Sequence, residues 1–286
     1  MAQGEAIRSK IKSAQGTQTI TRAMQMVAAA KMPKAQEHMQ AVRPYADCIL
    51  AVMSHFRAAH PEYHHPYFAV RPVRRAGLLV VTSDRGLAGA LNANVLRAAA
   101  GCLHAWQEQG IEADIGVYGN KAAAFFRRLQ APVVAQAAPL GDRPPLSAIL
   151  GVVKVMLDAY REGRIDRLAV VFNHFQNTMT QHPVVDNVLP LPEPKDQELA
   201  HWWDYLYEPD AHAVIDTVFD RYIETRIHRA ILENQASEQA ARMVAMRAAT
   251  DNAGRLIGDL RLAYNKARQA AITQELAEIV SGASAV

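Results

Sequence analysis

The sequence predicts an α/β domain carried between two long coiled-coil helices, and three observations carry that prediction. No proline follows Pro209 and no glycine lies between Gly163 and Gly254, so both backbone breakers are missing from a stretch rich in strong helix formers. A 3-4 spacing of mainly apolar residues runs along both ends of the chain, as a coiled-coil seam requires. Between those ends the period changes to short β-branched runs alternating with helical segments, the pattern of a largely parallel sheet. The expected division is a coiled-coil helix over 1–60, a connector over 61–76, an α/β domain over 77–208 and a second coiled-coil helix over 209–286.

The C-terminal seam runs through Leu232, Ala236, Gln239, Met243, Met246, Thr250, Ala253, Ile257, Leu260, Tyr264, Ala267 and Ala271. Its alanines make a slim helix that another structure could approach closely on every side. At 1.5 Å per residue, 70 to 75 residues would span roughly 110 Å. Asp210 stands where an N-cap is expected.

Residues 3 to about 58 predict the other long helix. Its stripe passes through Ile7, Ile11, Ala14, Gln18, Thr21, Gln25, Ala28, Met32, Ala35, Met39, Val42, Ala46, Ile49, Met53 and Phe56. Gln18, Thr21 and Gln25 lie on the stripe while Ile20, Met24 and Val27 lie beside it, a stutter in the winding. Pro33 and Pro44 each remove a backbone hydrogen bond and predict bends, or a restart at Pro44. The basic residues of this helix read as a solvated face. An antiparallel pairing of the two end helices leaves the longer one unpartnered from about Lys266, where Ile272, Leu276, Ile279 and Val280 expect a socket.

In the middle, strands are expected at 77–83, 111–119, 132–138 and 167–175, with an edge strand at 184–191 marked by Pro190. Helices are expected at 91–107, 121–129 and 146–162, which gives a Rossmann-like domain. SDRGLAGALN (Ser83 to Asn92) puts Gly86 and Gly89 at a strand-to-helix turn, where nucleotide folds place phosphate. It matches neither GxGxxG nor GxxxxGK[ST], so a structural turn is the better reading. Trp202, Trp203, Tyr205 and Tyr207 crowd one loop, and either pack against the helices or form a contact patch for a protein partner.

The bulk composition excludes several classes. A net charge of +3 gives no footprint for nucleic acid. Cys48 and Cys102 match no redox or metal spacing, and His55, His60, His64 and His65 lack companion ligands among interrupting prolines. No signal peptide or run of 18 apolar residues is present, so a cytoplasmic protein is expected, membrane-bound only through partners. GxSxG and HExxH are absent, and Ser237, Glu238, Thr250, Asp251 and Asn252 read as contacts for a surrounding partner rather than as catalytic groups.

Seven stretches in order resemble the gamma subunit of bacterial F-type ATP synthases: ITRAMQMVAAAKM, RPYA, SDRGLAGALN, FNHFQNTMTQ, WDYLYEP, ENQASEQAARMVAMRAATDNA and LAYNKARQAAITQELAEIVSGASA. The resemblance implies a rotor shaft inside a hexamer of alpha and beta subunits. It implies an α/β domain beside the epsilon subunit and the c-subunit ring, with delta elsewhere in the complex. Such a chain transmits torque from proton flow, regulates ATPase activity and carries no catalytic residue, cofactor or metal of its own. The implied place is the cytoplasmic face of the bacterial inner membrane.

By alignment, Met24, Arg242, Gln269 and Thr273 would contact the alpha and beta head, and Tyr205 and Glu208 the c ring. Pro33 departs from the family's usual basic residue. Ala88 and Ala90 replace its usual Cys and Gly, and the chloroplast cysteine insert is missing. Two other classes compete: a nucleotide-binding enzyme with helical arms would bind nucleotide when purified alone, and a coiled-coil scaffold would form a stable homodimer.

Overall fold

The computed structural model describes residues 2–59, 65–141, 146–191 and 211–284. The chain forms two compact units, one of Met1–Ala30 with Arg242–Val286 and one of Lys31–Ala241. Helices α1 (Ala2–Ala41) and α6 (Ala211–Ser284) contribute to both; α2 (Arg43–Ala59) lies wholly in the second.

The larger unit holds a five-stranded sheet. In chain order it comprises β1 (Arg75–Val81), α3 (Leu91–Glu108), β2 (Glu112–Tyr118), α4 (Asn120–Arg128), β3 (Val133–Ala137), α5 (Leu146–Arg161), β4 (Arg167–Phe175) and β5 (Gln181–Leu189). The strand order is β3-β2-β1-β4-β5, all parallel except the antiparallel β4–β5 pair at the edge. From Ala76 to Val81 β1 reads as an unbroken apolar run because both of its faces are covered there. One face packs Leu79, Val81 and Val170 against Met156 of α5, Phe56 of α2 and a one-residue-in-four stripe of α6: Ile215, Phe219, Ile223, Ile227 and Ile231. The other packs Leu78, Val80, Ile115 and Val117 against Val95, Ala99 and Trp106 of α3 and Phe126 of α4. The first half of α6 therefore has the sheet as its partner, not the first helix alone as an end-to-end coiled coil would require.

The expected first helix is two helices, with the break at Val42. Pro44 falls in the first turn of α2, where its missing N–H has no acceptor to disappoint. Pro33 stays inside α1 on an exposed side.

In the helical unit the seams are legible residue by residue. Up to Ala30, the described α1 residues that are not exposed are Ile7, Ile11, Ala14, Gln18, Thr21, Met24, Gln25 and Ala28, while Ile20 and Val27 are more than half exposed. From Arg255 to Ser281 the described α6 residues that are not exposed are Ile257, Leu260, Tyr264, Ala267 and Ala271. The helices run antiparallel. Gln18 Nε2 donates to the Thr250 carbonyl at 3.5 Å, also faces Gly254, and Thr21 and Thr250 share a hydroxyl bond at 2.8 Å. Carrying that register along both helices sets Ala2 near residue 269, which leaves about 15 residues of α6, roughly 22 Å, with no α1 beside them.

Candidate functional site

The glycine turn is the first place to look for chemistry, and its geometry fills the position a phosphate would take. Asp84, just past the C-terminal end of β1, aims its carboxylate at three backbone amides: Asn120 at 3.0 Å, Leu140 at 2.8 Å and Gly141 at 2.7 Å. Asn120 opens α4, so the chain's own carboxylate sits at that helix's positive end. Asn92 locks the start of α3 by accepting from the Ser83 amide and donating to its hydroxyl. Leu87 and Gly89 complete the turn in the left-handed region. Gly119 holds φ +87° there, where a Cβ would lie 2.3 Å from the Thr82 carbonyl oxygen. The turn is a structural clasp with a built-in anion.

The polar residues of α6 expected to await a partner are partly engaged within the chain. Ser237 is fully buried and donates to the Asn173 carbonyl at 3.1 Å. Thr250 spends its hydroxyl on Thr21 and on the Met246 carbonyl. For Ser237 and Thr250 the expected contact with a surrounding partner is corrected: their hydroxyls bond within the same chain, to groups that spacing could not place beside them. Asp251 and Asn252 are exposed, with Asn252 accepting from Arg255 at 2.6 Å.

Around Ser237 lies a wider polar cluster that spacing did not reveal. The Glu233 carboxylate, 4% exposed, meets His174 Nδ1 at 2.5 Å and accepts from Arg229 Nε at 3.0 Å. Asn234 Oδ1 accepts from Asn173 Nδ2 at 2.8 Å and from the Asn173 amide at 3.4 Å. FNHFQN and ENQAS, distant in sequence, thus face each other across β4 and α6. A second cluster joins the 3-10 turn Pro66–Phe68 to α6. His65 Nδ1 accepts the Tyr67 amide and its Nε2 meets Asp216 at 3.1 Å, while the Tyr67 hydroxyl donates to Asp220, which also pairs with Arg161. Burial holds the His65 pKa below its ordinary value despite Asp216, and burial with the Asp220 bond raises that of Tyr67.

The residues expected to meet the head are all in the helical unit but do not form one cluster. Met24 and Arg242 are half-buried. Gln269 and Thr273 are exposed on one face a turn apart, with the Thr273 hydroxyl donating to the Gln269 carbonyl at 2.9 Å. Arg242 and Gln269 stand about 40 Å apart along α6. Ile272, Leu276, Ile279 and Val280 are 48 to 67% exposed. Tyr205 and Glu208, with the neighbouring Trp202, Trp203 and Tyr207, lie outside the described residues, as do His60, His64 and Asp210. Among the described residues no three His, Cys, Asp or Glu side chains group to hold a metal, and no helix is long and apolar enough to cross a membrane.

Comparison with known proteins converges on one family. The family model described as ATP synthase matches residues 3–286. The ATP synthase gamma chain of Nitrosococcus oceani is 54% identical over 289 residues, covering 100% of both chains. Among solved structures, a chain of the Tetrahymena thermophila mitochondrial ATP synthase central stalk and c ring matches with a TM-score of 0.58 at 19% identity, covering 80% of this chain and 99% of that one. A chain of the Euglena gracilis mitochondrial ATP synthase, in its OSCP, F1 and c-ring assembly, matches with a TM-score of 0.57 at 20% identity, covering 92% and 95%. At such identities the structures speak for the fold, an α/β sheet with long terminal helices.

Proposed function

Because this chain belongs to the ATP synthase gamma-chain family, we propose that it works as the central rotor shaft of a bacterial, proton-translocating F-type ATP synthase. The observation that carries the reading is the end of α6, where about 15 residues have no partner in α1 and four large apolar side chains face outward. A helix end of this kind suits a socket built by other subunits. The shaft itself performs no bond chemistry. It makes different contacts with each of three beta subunits, and only differential contacts shift their equilibria.

In this reading Gln269 and Thr273 meet the alpha and beta head near the socket, and Met24 and Arg242 meet it lower on the shaft. Tyr205 and Glu208 meet the c ring, epsilon lies against the α/β domain, and delta belongs to the same complex. The chain then functions as the four segments 1–60, 61–76, 77–208 and 209–286. It reaches the cytoplasmic face of the inner membrane only through its partners, and it regulates ATP hydrolysis and proton flow without cofactor or nucleic acid.

Reconstituting alpha and beta with and without the chain tests this directly. The chain should change the ATPase rate of the hexamer, and an unchanged rate would sink the shaft reading. Removing the last dozen residues should weaken coupling of hydrolysis to proton pumping while the α/β domain stays folded by circular dichroism. Equal loss of both counts against the socket.

A further inference from the structure

β4 runs beyond its parallel neighbour. The last β1–β4 pair is Val80 with Val171, so Asn173 has no β1 residue beside it. On its other side stands Pro183 of β5, which has no N–H to give. The backbone N–H and C=O of Asn173 are nevertheless both taken, by Asn234 Oδ1 and Ser237 Oγ of α6. Two helix side chains thus complete the strand's hydrogen bonding, as a neighbouring strand would. Asn234 also receives the Asn173 side chain, and the adjacent pair, His174 with Glu233, is backed by Arg229. Asn173, Asn234 and Ser237 are essentially shut off from water, so no solvent molecule competes freely for these bonds.

We propose that Asn173, Asn234 and Ser237, with the His174–Glu233–Arg229 group beside them, form the torque-bearing joint that stops α6 from turning against the sheet; the proposal rests on the shaft reading above. Apolar packing of Ile227, Ala230 and Ile231 holds the helix onto the sheet, but the hydrophobic effect has no direction. Hydrogen bonds weaken steeply once their angle is lost. A twist about the helix axis moves Asn234 and Ser237 off the backbone of Asn173 together, so these bonds oppose the load a rotor carries. Asn234 and Ser237 are positioning residues: they touch neither nucleotide nor proton path.

The test uses the assembled complex in proteoliposomes carrying full-length variants of this chain. Removing these three bonds with Asn234→Ala and Ser237→Ala should raise the population of the slipped joint by about a hundredfold. ATP hydrolysis per assembled complex should stay within about twofold of wild type, and protons pumped per ATP against an existing gradient should fall at least about threefold. Ser237→Thr in place of Ser237→Ala, which keeps the hydroxyl, should recover the share of the ratio that the Ser237 bond carries. A bead on the α/β domain of a head-immobilised, stalled complex should show broader angular fluctuation in the double variant. An unchanged pumping ratio, or an unchanged angular width, overturns the proposal. Should the double variant fail to assemble, Ser237→Ala alone is judged by the same two readings. Failure of the shaft reading is separate, because it appears with the wild-type chain as no effect on the ATPase of alpha and beta.

Discussion

Replacing Asp84 by alanine tests whether the glycine turn is a structural clasp. The side chain accepts from three amides at 2.7 to 3.0 Å. A hydrogen bond to a charged group contributes about 1.5–3 kcal/mol net. The Leu140 amide is partly buried and keeps that full value, whereas the Asn120 and Gly141 bonds are exposed and water replaces most of each. The total expected loss is about 3 kcal/mol, a large share of a typical 5–15 kcal/mol stability. Asp84→Asn keeps one oxygen and should lose about half as much. Urea unfolding of the purified chain, followed by circular dichroism, reads both values. Phosphate at about 10 mM should then raise the midpoint of Asp84→Ala by occupying the vacated amides, and leave wild type unmoved. A loss under about 0.5 kcal/mol for Asp84→Ala, or equal phosphate stabilisation of both proteins, would refute the idea that the carboxylate substitutes for an external anion.

Two glycines should answer alanine with opposite signs. Gly119→Ala forces a Cβ to 2.3 Å from the Thr82 oxygen at φ +87° and should cost about 3 kcal/mol or more, whereas Gly16→Ala, inside α1 with nothing within 4 Å, should gain about 0.5–1 kcal/mol by the same unfolding measurement. In the seam, a double-mutant cycle of Thr21→Val and Thr250→Val should return a coupling of about 0.5–1.5 kcal/mol, the double variant losing less than the singles summed. Burial depresses the pKa of His65 and of His228, so the unfolded chain binds more protons in acid; stability is full above the ordinary histidine value of 6.5 and is lost as pH falls below it. His228→Leu should flatten the dependence of melting temperature on pH between about 5 and 7. Burial raises the pKa of Tyr67 and Tyr118, so both should stay protonated in the folded chain past pH 10, seen as missing phenolate absorbance that appears only on unfolding.

Periodicity and punctuation made most of the architecture legible, and the reason is local. A helix with no proline and a 3-4 stripe has few alternatives, and each α6 residue named on the seam from Ile257 to Ala271 is one that the structure partly or wholly buries. Strand and helix limits in the α/β domain fall within a few residues of those expected from β-branched runs and glycine turns. What spacing cannot supply is the identity of the facing element. Ile215, Phe219, Ile223, Ile227 and Ile231 announce a buried face, yet nothing local says that a sheet covers it. Asp84 reaches amides 36 to 57 positions away, and Ser237 a carbonyl 64 positions away. A glycine-rich turn advertises a phosphate site whether the anion comes from outside or from the turn itself. The clue to the second case was the aspartate within SDRG, whose partners only the fold brings near.

The way α6 finishes the hydrogen bonding of β4 also bears on how the chain stays out of trouble. A strand that overruns its neighbour leaves amides and carbonyls in a row, an invitation for another chain's strand to add itself. At Asn173 the invitation is withdrawn, since side chains of a helix occupy the sites and a helix offers no further edge to extend. On the opposite side the antiparallel β5 carries Pro183 and Asp186, with Arg226 bonded to Asp186, so charge and a missing donor discourage docking there too. Substitutions at Asn234 or Ser237 should therefore show up in the test tube as fibril-like aggregation as well as in the motor. Protection of the sheet from self-association and transmission of rotation would then depend on the same few atoms.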